Sequence, residues 1–223
     1  MCFSAEVSFG ASAIISTVGI MSIKKSTTKE QLLFAMVPIL FGIQQFFEAW
    51  LWIALTSGTF PMLETVSTFG FLIFAQLIWP IWVPLSAYTI EPNQLRKRLI
   101  GFTLVLGLIL FGILAYRMAI YDVKAQIDHF HIYYTVGHFQ STNWWSGIFY
   151  LLPAVFPFLL SSKKEINYLG LAMLGLFIIS KVFYLKYMIS VWCLFAAILS
   201  VYIFFILKKE EKQLTIDDLS PAQ

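Results

Sequence analysis

The chain has 223 residues, 59% of them hydrophobic, 17% aromatic and only 12% charged, with a mean hydropathy of +0.80. Soluble domains run at about 45–50% apolar and about 25% charged, so this composition places the chain among membrane proteins and leaves no room for a sizeable soluble domain. The formal charge of +3 is small, and Lys and Arg fall in short clusters between apolar runs, a pattern that excludes the basic stripe of a nucleic-acid-binding surface.

In chain order, the opening Met1-Cys2-Phe3-Ser4-Ala5-Glu6 lacks the positive n-region of a signal peptide, so the first apolar run is expected to stay as a helix. Runs long enough for a hydrocarbon core of about 30 Å occupy about residues 6–23, 32–55, 66–88, 99–120, 144–160, 166–183 and 189–207. The expected fold is therefore an all-α membrane protein with seven transmembrane helices in one domain, residues 1–208, followed by a polar cytoplasmic tail, residues 209–223. Prolines 38, 80, 84, 153 and 157 fall inside these runs and mark kinks, because neighbouring helices or water can satisfy the carbonyls they free.

The connections after the first, third, fifth and seventh runs carry Lys24, Lys25, Lys29, Arg96, Lys97, Arg98, Lys163, Lys164, Lys208, Lys209 and Lys212. Those on the other side offer only Lys124 and, near helix ends, Arg117, Lys181 and Lys186. By the positive-inside rule the N-terminus lies outside and the C-terminus in the cytoplasm. The cysteines, Cys2 and Cys193, then fall toward the same outer side, which permits a bridge, although free thiols are the expected state.

Within the second run, Gln44, Glu48 and Trp52 stack at i, i+4 and i+8, and Gln45 sits three residues before Glu48. Amides and a carboxylate at that depth must look into protein or a water-filled cavity. Glu48 lies past mid-run by about 6 Å at 1.5 Å per residue, toward the outer side, where Glu6, Ser8, Arg117 and Lys181 also fall, with Gln76 near mid-membrane. An outward-facing polar pocket is expected from Glu48, Gln44, Gln45, Gln76, Lys181, Glu6, Ser4 and Ser8, with a Glu48–Lys181 pair. The alternative is that Gln44, Gln45 and Glu48 are interhelical hydrogen-bond glue.

The outer connection, residues 121–143, reads as a short hairpin-like element, because Phe130, Ile132, Tyr134 and Val136 alternate with His129, His131 and Tyr133. His129, His131 and His138 could hold zinc together with a carboxylate such as Asp122, Asp128 or Glu6. Exposed loop histidines are the plainer reading. Lys181 as a retinal-type Schiff base is disfavoured, since a lysine near a helix end snorkels to the interface.

The opening Met1-Cys2-Phe3-Ser4-Ala5-Glu6-Val7-Ser8-Phe9, taken with Gln44, Gln45 and Glu48, resembles a group of bacterial multi-pass membrane proteins that open with MCFSA and have no assigned reaction. The resemblance implies the bacterial cytoplasmic (inner) membrane and a functional N-terminal nonapeptide. A second comparison is with seven-helix metal hydrolases of the alkaline ceramidase and progestin-receptor type, from which the chain departs in having no histidine in its last run.

Three functions follow as expectations: binding, sensing or movement of a small polar ligand or ion around Glu48; a zinc-dependent membrane hydrolase using the outer histidines; or an assembly subunit without a site of its own. The partners expected are the lipid bilayer and a small polar ligand, with no nucleic acid, and whether the chain is an enzyme is left open.

Overall fold

The structure is a computed structural model and describes residues 4–137 and 144–219. Its helices are α1 (Ala5–Lys25), α2 (Lys29–Ala35), α3 (Val37–Ser57), α4 (Pro61–Leu72), α5 (Trp79–Ile90), α6 (Gln94–Ile120), α7 (Trp144–Ala154), α8 (Phe156–Leu160), α9 (Lys164–Phe183), α10 (Met188–Ser200) and α11 (Tyr202–Leu219). A π-helical stretch, Ile73–Ile78, joins α4 to α5, and a single 3-10 turn, Leu185–Tyr187, joins α9 to α10. Two strands, β1 (Val123–Asp128) and β2 (His131–Val136), pair antiparallel with Asp128 opposite His131, so the connection between them is the two-residue turn His129-Phe130.

Six helical segments among the described residues are long and apolar enough to cross a membrane: Ala5–Lys25, Lys29–Ser57, Pro61–Ile90, Gln94–Ile120, Lys164–Phe183 and Leu185–Leu214. Several are compound, and their chemistry says why. Met36 interrupts the second just before Pro38, which sits in the first turn of α3 where a missing N–H costs nothing. In the third, Pro80 denies the Gln76 carbonyl its helical donor, and the chain widens into the π turn over that stretch.

The run at 144–160 divides instead into α7 and α8. Pro157 removes the donor that would bond the Pro153 carbonyl, and Val155 leaves helical geometry at φ −132°. The expected fifth span is thus a pair of short helices, each below the length of a single crossing. The polar tail is also helical through Leu219, as the end of α11.

Close backbone approach organises the bundle. Gly42 of α3 packs against Ser16 of α1 with no room for a methyl group, and the Ser12 hydroxyl donates to the Gly42 carbonyl at 2.8 Å. Small residues bring membrane helices together in this way, since lipid tails are as apolar as leucine and supply no hydrophobic drive. Gly107 of α6 does the same for α5. A Cβ there would collide with the Pro80 carbonyl, which is itself left without a helical donor by Pro84. Substitution at either glycine would push two helices apart.

Two apolar clusters fill the interior. One centres on Phe34, Trp79, Val83, Ile100, Phe158 and Leu169, and the other, under the hairpin, on Leu51, Phe71, Leu72, Met118, Ile132 and Tyr134. The rest of the apolar surface faces outward: Phe102, Ile109, Ile113 and Tyr116 of α6 are all more than half exposed, as lipid contact requires.

At the end of the bundle away from the hairpin, polar groups tie loops and tail together. Glu91, 2% exposed, accepts hydrogen bonds from the Ser162 N–H and hydroxyl, the Ser161 hydroxyl and the Asn93 N–H. Arg96 donates to the Leu160 and Ser161 carbonyls, closing a clasp between the α5–α6 and α8–α9 connections. Glu210 accepts from Gln31 and Lys163, and Glu211 pairs with Lys25, so α11 is fastened to the end of α1, to α2 and to the α8–α9 connection. Burial pushes the Glu91 carboxyl up, but its bonds from Ser162, Asn93 and Ser161 outweigh burial and hold it below the usual carboxylate value.

Candidate functional site

The polar face of α3 turns inward. Gln44, Gln45 and Glu48 are each 0% exposed. The Trp79 indole donates to Gln44 Oε1 at 2.7 Å, and the Ser190 hydroxyl of α10 donates to Glu48 Oε1 at 2.7 Å. These bonds join α3 to α5 and α10 through buried groups that would each be costly to leave unsatisfied. Among the described residues no ion pair joins Glu48 to Lys181.

A cavity of about 620 Å³ lies next to this seam, alongside α10. Its walls come from the π-helical stretch (Ala75, Gln76), α6 (Leu106 to Met118), β2 (Tyr134, Val136), α7 (Gly147, Tyr150), α9 (Phe177, Lys181) and α10 (Ile189, Trp192, Cys193). Lys181 is 4% exposed, and its Nζ lies over Gly147, where a methyl group would come within 3.1 Å of it. Arg117 enters from the end of α6. No carboxylate occurs among the described residues of the lining.

The remaining polar groups have defined roles. The Tyr150 hydroxyl donates to the Ala75 carbonyl at 2.6 Å, across the π turn. Tyr134 stacks flat on Phe71 at 4.8 Å between ring centres. The indole N–H of Trp192 has no acceptor among the described residues. Cys193 carries a free, buried thiol with the Gln44 amide and Glu48 as neighbours, so the α3 seam stands one layer behind the cavity wall. Cys2, to which a bridge was permitted but not expected, lies outside the described residues.

Of the residues expected to form one pocket, the fold brings Gln76 and Lys181 to the cavity and leaves Gln44, Gln45 and Glu48 in the seam behind it. Ser4 caps α1 instead, accepting from the Val7 N–H. Glu6 is exposed in the first turn of α1, where a carboxylate favours the helix dipole. Ser8 is fully buried and its hydroxyl has no partner among the described residues.

The histidines do not form a strand pair. His129 sits in the hairpin turn at φ 54° with its side chain 82% exposed, whereas His131 turns inward, 4.6 Å from Tyr187 and 5.6 Å from Tyr184 between ring centres. The turn geometry breaks the alternation that would have put both rings on one side. Among the described residues no three His, Cys, Asp or Glu side chains are placed to hold a metal ion, and His138 lies outside those residues. Burial lowers the His131 imidazole below its ordinary value.

The hairpin is latched to the α9–α10 connection. Asp128 accepts from the Lys186 ammonium and, at 2.9 Å, from the Tyr187 hydroxyl. Lys186 also lies 5.3 Å from the centre of the Tyr133 ring, so β2 is covered on both faces and Ile132, Tyr133 and Tyr134 are all buried.

The sequence marked Arg117 only by its depth, level with Glu48, and gave no sign of Tyr150, Trp192 or Glu91. Tyr150 and Trp192 carry no signal among so many aromatics, and Glu91 looked like a helix stop beside Pro92. The spacing of Trp79-Pro80 and Pro84 was the one mark of an irregular wall.

Together these features define a multi-pass, helical membrane protein with a buried polar seam and, next to it, a cavity whose described charges are all positive. Over residues 1–217 the chain matches the model of a family of unknown function, DUF6629, and it belongs to that family. No curated protein and no solved structure matches the chain.

Proposed function

We propose that the protein crosses the bacterial cytoplasmic membrane seven times, with the hairpin end outside and α11 in the cytoplasm, and that it binds a small anionic ligand in the cavity between α6, α7, α9 and α10. The observation that carries this reading is the cavity itself, about 620 Å³ in volume, with Lys181 and Arg117 set in a largely apolar lining. The volume lies within the roughly 300–1,000 Å³ of small-molecule sites.

Lys181 and Arg117 supply the charge, and Gln76 and the Trp192 N–H supply neutral donors beside it. Glu48 is a fastener of α3 to α10 and not the ligand's own partner, a role supported by its complete burial and its bond from Ser190. The basic clusters Lys24-Lys25, Arg96-Lys97-Arg98, Lys163-Lys164 and Lys208-Lys209 all lie at the Glu91 end, which supports the orientation. The pair α7 and α8 spans about 17 residues, or about 25 Å at 1.5 Å per residue, and completes the seventh crossing if the bilayer thins slightly around it.

The test uses protein purified in a neutral detergent. Butyl phosphate is expected to raise its melting temperature, butyltrimethylammonium is not, and the effect is expected to vanish in Lys181→Met. Equal stabilisation by both probes would contradict the reading.

A further inference from the structure

The cavity opens sideways near the middle of the membrane. Ile109, Ile113 and Phe149 line it and are 56%, 53% and 64% exposed, so α6 and α7 leave an apolar gap on the lipid-facing flank. Ile109 stands eleven residues before the end of α6 at Ile120, about 16 Å at 1.5 Å per residue, which is close to the midpoint of a hydrocarbon core of about 30 Å. A gap walled by such side chains at that depth meets acyl chains and not water. Gln76 of the π-helical stretch lines the same hollow. Gly107 of α6 meets the Pro80 carbonyl, and Gln76 lies one turn nearer the hairpin end than Pro80, which sets it level with Ile109 and Ile113. Its amide has no hydrogen bond among the described residues, although a carboxamide at that depth is costly to leave unpaired. Around it the Trp192 ring meets Tyr150 and Phe177 edge to face, and the Tyr150 hydroxyl is already spent on the Ala75 carbonyl.

We infer that this inner part of the cavity is a second, uncharged subsite for a single-chain lipid with a neutral oxygen, taken up from the bilayer. The chain passes between α6 and α7 along Ile109, Ile113 and Phe149, and the oxygen meets the Gln76 amide. The inference goes beyond the anion reading above and uses neither Lys181 nor Arg117, which stand nearer the hairpin end of the lining, close to the ends of α9 and α6. The apolar gap selects the chain, and mid-membrane depth disfavours a charged head. The carboxamide donates to an alcohol, ester or ketone oxygen and accepts from a hydroxyl, so it serves any of these heads.

The full-length protein in nanodiscs of neutral phosphatidylcholine tests this with dodecanol carrying a photoactivatable diazirine in mid-chain, the labelled peptides being read by mass spectrometry. Saturable labelling of residues 106–114 and 147–152 is expected, displaced by plain dodecanol and not by dodecane, which has the chain without the oxygen. Gln76→Leu is expected to weaken it by about tenfold, as the loss of one hydrogen bond implies. Ile109→Trp and Ile113→Trp each fill the gap and are expected to weaken it at least as much, with wild-type melting temperatures showing that the variants fold. Lys181→Met is expected to leave it unchanged. Labelling that does not saturate, equal displacement by dodecane, or unchanged labelling in folded gap variants would overturn the subsite and leave the anion reading standing. Loss of labelling in a folded Lys181→Met protein, with none in Gln76→Leu, would also overturn it by moving the head to the charged end. Loss of butyl phosphate stabilisation alone would remove the anion reading and leave this subsite intact.

Discussion

The hydroxyl of Ser190 on α10 donates to Glu48 Oε1 on α3 at 2.7 Å, and neither residue has any exposed surface. Behind this bond lies the α1–α3 pair packed at Gly42, and in front of it lies the cavity wall at Cys193. Ser190→Ala removes a donor from a buried carboxylate and is expected to destabilise the protein by about 1–3 kcal/mol. Because Ser190 does not line the cavity, butyl phosphate affinity should be preserved. Denaturant melts with and without the probe check both halves, and a loss of affinity in a folded Ser190→Ala protein would move Glu48 back into the site.

Lys181 and Gly147 form a second tight relationship. A methyl group at Gly147 would come within 3.1 Å of Lys181 Nζ and 3.0 Å of the Phe177 ring. Gly147→Ala is therefore expected to fold, since a lysine end shifts easily, and to weaken butyl phosphate binding several-fold by displacing the ammonium. Equilibrium titration followed by tryptophan fluorescence measures this, and unchanged affinity would place the anion away from Lys181.

The hairpin latch should respond to acid. The Lys186 ammonium, then the Tyr187 hydroxyl, hold the Asp128 carboxyl below the usual carboxylate value. A carboxyl with a lowered folded-state pKa contributes its stability above the unfolded value and loses it as pH falls through the folded one. Amide exchange across residues 123–136 is thus expected to be slow near neutrality and to speed up, after correction for intrinsic rates, only below the ordinary aspartate range. Asp128→Asn should show the faster exchange at every pH.

Glu91 makes the same kind of prediction at the other end. Glu91→Gln keeps the shape but cannot accept from Ser161, Ser162 and Asn93 together, and about 1–3 kcal/mol of stability is expected to be lost. Since the Glu91 carboxyl is held below its usual value, wild type should approach the variant's stability as the pH drops through the acid range. Parallel acid melts of the two proteins measure this. A constant gap down to the lowest accessible pH would mean that the clasp does not depend on the charge.

Much of the architecture was legible because membrane chemistry is strict. Helical spacing at Gln44, Gln45, Glu48 and Trp52 sufficed to turn that face of α3 toward protein, since no lipid-facing solution exists for such groups. Depth along the chain placed Lys181 and Arg117 at the same level. What remained hidden is lateral: whether Glu48 or Gln76 shares a hollow with Lys181 depends on how α10 is rotated, and Ser190 and Cys193, three residues apart, share one face, the first bonded into the α3 seam and the second both touching that seam and lining the cavity. The break at Val155 needed the combined effect of Pro153 and Pro157, four residues apart, which a sequence pattern reads as one kinked span. The histidine pair failed because Asp128 and His131 close the hairpin, putting His129 in the turn.

The central claim is that positive charge in the cavity between α6 and α9 holds an anion. Equilibrium titration of butyl phosphate into wild type and into the Arg117→Met/Lys181→Met double variant tests it most directly. Saturable binding to wild type and at least a hundredfold weaker binding to a folded double variant is the expected result; equal affinity for the two proteins would contradict it.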